Sequence, residues 1–481
     1  MIVISKQFWF YLICLVFVSI NMVAIAMDFP WIGLLPFILI FCYLILFKLD
    51  SLILLLAFLV PLSVGFDNVG FGLGISLPDE PLIIVIMVLS IFKFVINAQY
   101  DFRVLKHPIS IAILFNLFWL IVTTCTSDYP IVSLKYVMSR LWYLIVFYFL
   151  GMMLFREYKN ITKYLWLYII SLFGVVVFIL IKHSEFNFSL AKSYSIVEPF
   201  FVDHGIYAAT ISLFIPLLAC YVFFFRRMGL NLIGLIVTAT FLAVFFAGVY
   251  FSYTRAAWIG VLVSSCFVVP VLLRIKFKTV VIVIFTSVSF VYIFQNQILY
   301  VLSKNQQKSA NGFSNHFQSI SNIKTDPSNT ERINRWMSAI AMFENRPVLG
   351  FGPGTYSFCY APYQQYKYKT VISTNFGDGG NSHSEYLNPL AESGLFGLLS
   401  FLAIIYLVLN TGFKLYFNAK KFKVRILSLG ISLGLITYFV HGFLNNYSAT
   451  DKIGAVLWAA FGMITALDVY HNKQKTKSEP Q

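Results

Sequence analysis

His383 stands where a polar stretch runs into an apolar one, in N-S-H-S-E-Y-L-N-P-L-A-E-S-G-L-F-G-L-L, residues 381–399. A neutral imidazole placed beside a bilayer can accept a proton at the membrane surface. Ser382 and Glu385 have the spacing of a capping box, which predicts a helix with His383 in its first turn. The positive end of that helix dipole would favour the neutral imidazole. Gly377-Asp378-Gly379-Gly380-Asn381 predicts a flexible approach to it. A lone histidine is more often a structural hydrogen-bonder, so the groups around it decide the matter.

Those groups are arginines. In F-S-Y-T-R-A-A-W, residues 251–258, Arg255 lies in a tight turn between two apolar runs, flanked by the hydroxyls of Ser252 and Thr254. The planar guanidinium fork matches phosphate bidentately, although an arginine at a membrane boundary is commonly a snorkelling anchor. A second pair, Arg332 and Arg335, follows Ser328-Asn329-Thr330-Glu331, which fits a capping box with Ser328 as N-cap. Ile333, Trp336, Ile340 and Phe343 then recur at helical spacing, and Pro347 ends the pattern. L-G-F-G-P-G, residues 349–354, lacks the Lys-Ser/Thr of a phosphate-binding loop and reads as a tight turn. In D-H-G-I-Y-A-A, residues 203–209, Asp203 is a natural N-cap. Asp203 and His204 could also contact sugar.

The elements that must position these residues are membrane helices. The chain has 481 residues, 59% hydrophobic and 11% charged, too apolar for a soluble protein of this size. Apolar runs of about 18 residues or more recur along it, and in a bilayer such runs must be helical. The fold class is therefore all-α and polytopic. Spans are predicted at 8–27, 31–47, 51–66, 81–97, 108–125, 131–154, 161–182, 205–225, 230–252, 256–273, 278–298, 392–412, 424–444 and 452–470. Residues 1–298 thus form a bundle of about eleven spans, 299–391 a long and partly helical loop, 392–470 the C-terminal helices, and 471–481 a tail.

Basic clusters recur at alternate span ends: Arg103 and Lys106; Arg156, Lys159 and Lys163; Arg226 and Arg227; Arg274, Lys276 and Lys278; Lys420, Lys421, Lys423 and Arg425; Lys473, Lys475 and Lys477. The positive-inside rule makes that side cytoplasmic, with both termini inside and the long loop outside. The net charge of +15 is then mainly a topology signal and gives no reason to expect nucleic acid. Lys6 precedes the first apolar run and no small-residue cleavage site is evident, so the first span is read as retained. The six cysteines show no metal-type spacing and no disulfide framework; a Cys125–Cys359 bridge is conceivable, unremarkable thiols the simpler reading. The 18% aromatic content suits lipid-facing surfaces and interfacial belts and implies no cofactor.

The S-x-T-R-A-A-W turn, the loop with E-R-x-x-R-W and G-x-G-x-G, and the H-S-E-Y-L-N-P-L-A-E-S-G-L-F-G-L ending together resemble the O-antigen ligase / O-antigen polymerase superfamily, over roughly residues 200–400. The resemblance implies a polytopic protein of the bacterial inner membrane. It would move a glycan from undecaprenyl diphosphate to an acceptor hydroxyl at the periplasmic face, by inverting, metal-independent chemistry and without a cofactor. The implied partners are the undecaprenyl diphosphate-linked glycan, membrane lipid, and an acceptor glycolipid, either lipid A–core or a second lipid-linked glycan. The family's functional arginines fall on Arg255 and on Arg332, with Arg335 the competing position. Its catalytic histidine falls on His383. Ser384 stands where members often have asparagine. Twelve spans are usual in the family against the fourteen counted here.

Asp203, His204, Ser252, Asn381 and Arg140 are the remaining candidate substrate contacts. Ligation to lipid A–core is the leading expectation. A repeat-unit polymerase uses the same donor chemistry with a different acceptor. A lipid-linked glycan transporter would instead need ionisable residues near the midplane and broken helices in matched halves; Lys135 and Arg140 are the nearest candidates. A scaffold role leaves the two arginines and the histidine unexplained.

Overall fold

The computed structural model describes residues 6–27, 32–33, 35–36, 48–66, 75–97, 101–293, 327–369, 373 and 380–472. The chain divides into two units, Met1–Leu55 and Leu56–Gln481. The first contains helix α1 (Lys6–Ala26) and the start of α2 (Leu49–Leu59). In the second, strands β1 (Val64–Phe66) and β2 (Ile75–Leu77) pair antiparallel and lead into α3 (Asp79–Asn97).

Among the described residues, nine helices are long and apolar enough to cross a membrane. Six precede the long loop: α4 (Pro108–Cys125), α5 (Pro130–Leu154), α6 (Tyr158–Ser184), α7 (His204–Phe223), α8 (Leu232–Phe251) and α9 (Arg255–Leu272). After α10 (Phe277–Ile293) and α11 (Pro327–Asn345) come the last three, α12 (Leu387–Asn418), α13 (Phe422–His441) and α14 (Asp451–His471). The protein is an all-α polytopic membrane protein carrying one small β-ribbon. Each of the nine matches an expected span. The expected 51–66 span is a shorter apolar helix, because β1 begins at Val64. The expected 31–47 span and the end of 278–298 lie largely outside the described residues.

α13 is the centre of the bundle, 89% of its most apolar window being buried against 22% for α8. Its Gly430-Ile-Ser-Leu-Gly434 run is a small-xxx-small stripe, which lets helix backbones approach closely. A Cβ on Gly430 would meet the Leu217 side chain, and one on Gly434 would run into the Leu213 carbonyl. α7 breaks at Leu213–Phe214, where Pro216 lacks an N–H and its ring crowds the preceding turn. One turn further along α13, a Cβ at Gly260 of α9 would stand 2.6 Å from the Thr437 carbonyl. A Gly434→Val protein is therefore expected to be overpacked by about 1–3 kcal/mol. Its thermal unfolding in detergent, followed by intrinsic fluorescence, should shift down; an unchanged midpoint would contradict the close approach.

The buried ammonium of Lys452 is satisfied by protein groups, as lipid requires. Lys452 at the start of α14 donates to the Val60 carbonyl (3.1 Å), the Ser63 carbonyl (2.9 Å) and Ser63 Oγ (2.5 Å). Five cysteines, Cys14, Cys125, Cys220, Cys266 and Cys359, are free, so Cys125 and Cys359 are not bridged.

Candidate active site

The described part of the long loop is folded. Ala339 and Met342 of α11 pack with Phe351, Tyr356, Cys359, Tyr360 and Ala391 in one buried cluster. The glycine-rich run is a turn, as expected: Gly350, Gly352 and Gly354 all have positive φ. It is held by Glu392, whose carboxylate accepts from the Gly354 N–H (2.9 Å) and the Tyr356 N–H (3.0 Å). Inside α12, Gly394 adopts φ 67°, and a Cβ there would strike the Val348 carbonyl, so the loop rests on this kink.

Neither expected capping box forms. α11 starts at Pro327, ahead of Ser328. Glu331 turns instead to Arg335 Nε (2.8 Å) and Ser373 Oγ, because a buried guanidinium is a stronger partner than a terminal amide. α12 starts at Leu387, so His383 precedes the helix and is not in its first turn. Glu385 instead accepts four hydrogen bonds from the end of α13 and the 442–450 loop: Tyr438 OH (2.5 Å), Tyr447 N–H (2.7 Å), Ser448 N–H (2.7 Å) and Ser448 Oγ (2.8 Å). Its own N–H donates to the Gly442 carbonyl at 2.8 Å. The dipole argument for a neutral imidazole therefore does not apply, and a different cause takes its place.

That cause is burial together with the pair of arginines. His383 has φ 50°, a left-handed conformation held from both sides. Its N–H donates to Asn381 Oδ1 (2.9 Å), and its carbonyl accepts from Trp336 Nε1 (3.4 Å). Asn381 is fixed in turn, its carbonyl by Arg335 Nη1 (3.1 Å) and its amide by the Asn446 carbonyl (3.1 Å). Burial, then the positive charges of Arg335 and Arg332, push the imidazole down to about 4, with Glu331 and Asp203 opposing. His383 is thus neutral at pH 7.

The two loop arginines differ. Arg335 is buried, ion-paired with Glu331, and lies over the Tyr360 ring at 5.1 Å. Its guanidinium also covers Gly380, where a Cβ would collide with it. Arg332, three residues earlier, is half-buried, and its charge acts on His383 and on the phenol of Tyr447.

The other expected residues come from α7 and the turn before α9. Asp203 caps α7 by accepting from the Gly205 N–H (3.1 Å), as expected, and also accepts from Tyr447 OH (2.5 Å). His204 Nδ1 lies 2.8 Å from Asp203 Oδ1. Burial pushes the Asp203 carboxyl up, but His204, Tyr447 and the Gly205 N–H outweigh it and hold it well below the usual carboxylate range. Thr254 Oγ1 donates to the His204 carbonyl (3.4 Å) and Tyr253 OH to the Phe188 carbonyl (2.7 Å), so the Arg255 turn is fastened to the 183–204 connection. Arg255 opens α9 and is half-buried. Ser252 is buried, and its hydroxyl serves the turn, donating to the Val249 carbonyl (2.7 Å) and accepting from the Thr254 N–H (3.2 Å). Arg140 has its own neighbourhood, with Nη2 on Tyr136 OH (2.9 Å) and the guanidinium over the Trp458 ring (5.2 Å).

The 442–450 loop was not anticipated from sequence. It supplies Tyr447, Ser448 and the Asn446 carbonyl to the site. The polar run Asn445-Asn446-Tyr447-Ser448 between two apolar spans was the signal for it.

The structure thus places the His383 imidazole within the field of Arg335 and Arg332 in a polytopic membrane protein. Residues 239–402, about a third of the chain, match the family model described as O-Antigen ligase. The match takes in Arg255, Arg332, Arg335 and His383. It supports an O-antigen ligase/polymerase-type membrane glycosyltransferase. No curated protein matches the chain.

Proposed function

We propose that this protein transfers a glycan from undecaprenyl diphosphate to an acceptor hydroxyl at the periplasmic face of the bacterial inner membrane, with both termini cytoplasmic. The acceptor is lipid A–core, making the reaction O-antigen ligation, in keeping with the description of the matching family. The observation that carries the reading is the neutral His383 placed within the field of two arginines.

Arg332 and Arg255 bind the donor diphosphate. Arg335 is the positioning residue, because its guanidinium is committed to Glu331 and the Asn381 carbonyl. His383 is the base. The acceptor oxygen forms a bond to the anomeric carbon while the bond from that carbon to the diphosphate oxygen breaks. The electron pair leaves with the diphosphate, and the acceptor proton passes to His383. The configuration inverts. Fixed cations aimed at the developing charge stabilise such a transition state without reorganisation. The bound diphosphate also offsets the arginine charges that depress His383, so donor binding makes the base stronger.

The test is transfer from a defined undecaprenyl diphosphate-linked glycan to lipid A–core, with EDTA present. Transfer by the wild type and its loss in Arg255→Ala at equal expression are expected. Loss of turnover on chelation, or near wild-type transfer by Arg255→Ala, would overturn the assignment.

A further inference from the structure

His441 is the last residue of α13 and is shut off from solvent. Neither ring nitrogen has a hydrogen-bond partner among the described residues. A neutral imidazole carries one N–H and one lone pair, and an imidazolium two N–H groups. Whichever nitrogen holds a proton, polar atoms are therefore buried unpaired, which opposes folding. Buried polar groups are nearly always paired, so an exception at the end of the central helix calls for a physical reason. Packing alone gives none, since leucine fills nearly the same volume and buries no polar atom.

The place of the ring supplies that reason. The carbonyl of Gly442, next along the chain, accepts from the Glu385 N–H at 2.8 Å, and a Cβ on Gly442 would stand 2.9 Å from Glu385 Cγ. The end of α13 is thus set against the segment that carries His383. The Tyr447 ring packs beside His441, with centroids 5.7 Å apart and planes at 38°. Tyr447 is half-buried, and its hydroxyl is held by Asp203. Among charged groups, Arg332 acts on His441 first, then Asp203 and His204. Arg332 and Asp203 act on His383 as well, so the two imidazoles share one neighbourhood. An anionic oxygen bound by Arg332 would arrive in that neighbourhood. A neutral imidazole can meet it with a proton on either nitrogen, because neither nitrogen of His441 is committed.

We infer that His441 is a further binding residue of the site, donating a ring N–H to a phosphoryl oxygen of the donor diphosphate held by Arg332. This rests on the proposed function and adds to it a residue outside the matched region 239–402. Because the ring is covered, the oxygen reaches it only when the half-buried Tyr447 side chain moves aside. The contact strengthens as negative charge gathers on the leaving diphosphate, so it serves turnover as well as binding.

The test uses the full chain in nanodiscs, with undecaprenyl diphosphate as the probe. Binding is read by intrinsic-fluorescence titration, beside thermal unfolding. His441→Leu removes the unpaired polar atoms and is expected to unfold no lower than the wild type. Its affinity for undecaprenyl diphosphate should fall about ten- to hundredfold, the loss expected for one hydrogen bond to a charged group. His441→Gln keeps a side-chain N–H and should recover part of that affinity, which a purely structural role would not produce. Wild-type affinity in His441→Leu, or a His441→Gln protein that binds no better than His441→Leu, overturns the inference. The two failures are distinct. No binding by the wild type strikes the proposed function and this contact together, whereas wild-type binding that His441→Leu retains strikes the contact alone.

Discussion

Arg332→Ala is expected to lower glycan transfer about 10²–10³-fold, the usual loss when one preorganised charge-stabilising group is removed. The protein should remain folded, because Arg332 is only half-buried. Arg335→Ala should behave differently. Arg335 is 6% exposed and paired with Glu331, which is itself 3% exposed. Removing one member of a buried pair leaves the other charge uncompensated, at a cost of about 3–5 kcal/mol. It also releases the Asn381 carbonyl, on which the His383 backbone depends. The expected result is a lowered thermal midpoint and a reduced folded yield, with activity lost as a consequence. Paired measurements of kcat/KM and thermal unfolding separate the two. A well-folded, inactive Arg335→Ala beside an active Arg332→Ala would reverse the assignment.

His383→Ala should cost about 10²–10⁴ in turnover, the range for removal of a general base. The wild-type pH profile carries the finer expectation. A base works in its unprotonated form, and protonation grows as pH falls through its pKa. With the free imidazole at about 4, kcat/KM should be level through neutral pH and fall only in the acid range near that value. The limb in kcat should lie at higher pH, because a bound diphosphate raises the imidazole. An unperturbed histidine would put the limb of kcat/KM near about 6.5 instead. A kcat/KM limb at that higher pH, absent from the His383→Ala profile, would mean that the arginines do not act on His383 as described. Membranes of defined lipid composition and a fixed ionic strength are needed, since charge effects of this kind are screened by salt.

The helices were legible where hydropathy alone decides: the nine long apolar helices all fall on runs visible in the sequence. The α11 pattern of Ile333, Trp336, Ile340 and Phe343 was legible for the same reason, and so was the glycine turn at 350–354. The two capping boxes failed because spacing alone does not say whether a carboxylate has a better partner elsewhere. Glu331 finds Arg335 one turn on, and Glu385 finds backbone N–H groups some sixty residues away. The 442–450 loop went unread because its polar run does not say which partners it meets: the N–H groups of Tyr447 and Ser448 and the Asn446 carbonyl act through the main chain, and the Tyr447 and Ser448 hydroxyls reach residues far away in sequence. Arg332 and Arg335 could not be told apart from sequence, since both are arginines on one turn and only burial distinguishes them.

Glu385 has a consequence for anyone who would transplant this site. The family match stops at residue 402, yet the carboxylate two residues after the histidine is moored to Tyr438, Tyr447 and Ser448. A chimera that exchanged only residues 239–402 would carry Arg255, Arg332, Arg335 and the imidazole, but set them on a foreign mooring. The portable cassette must run through the hairpin between the last two membrane helices.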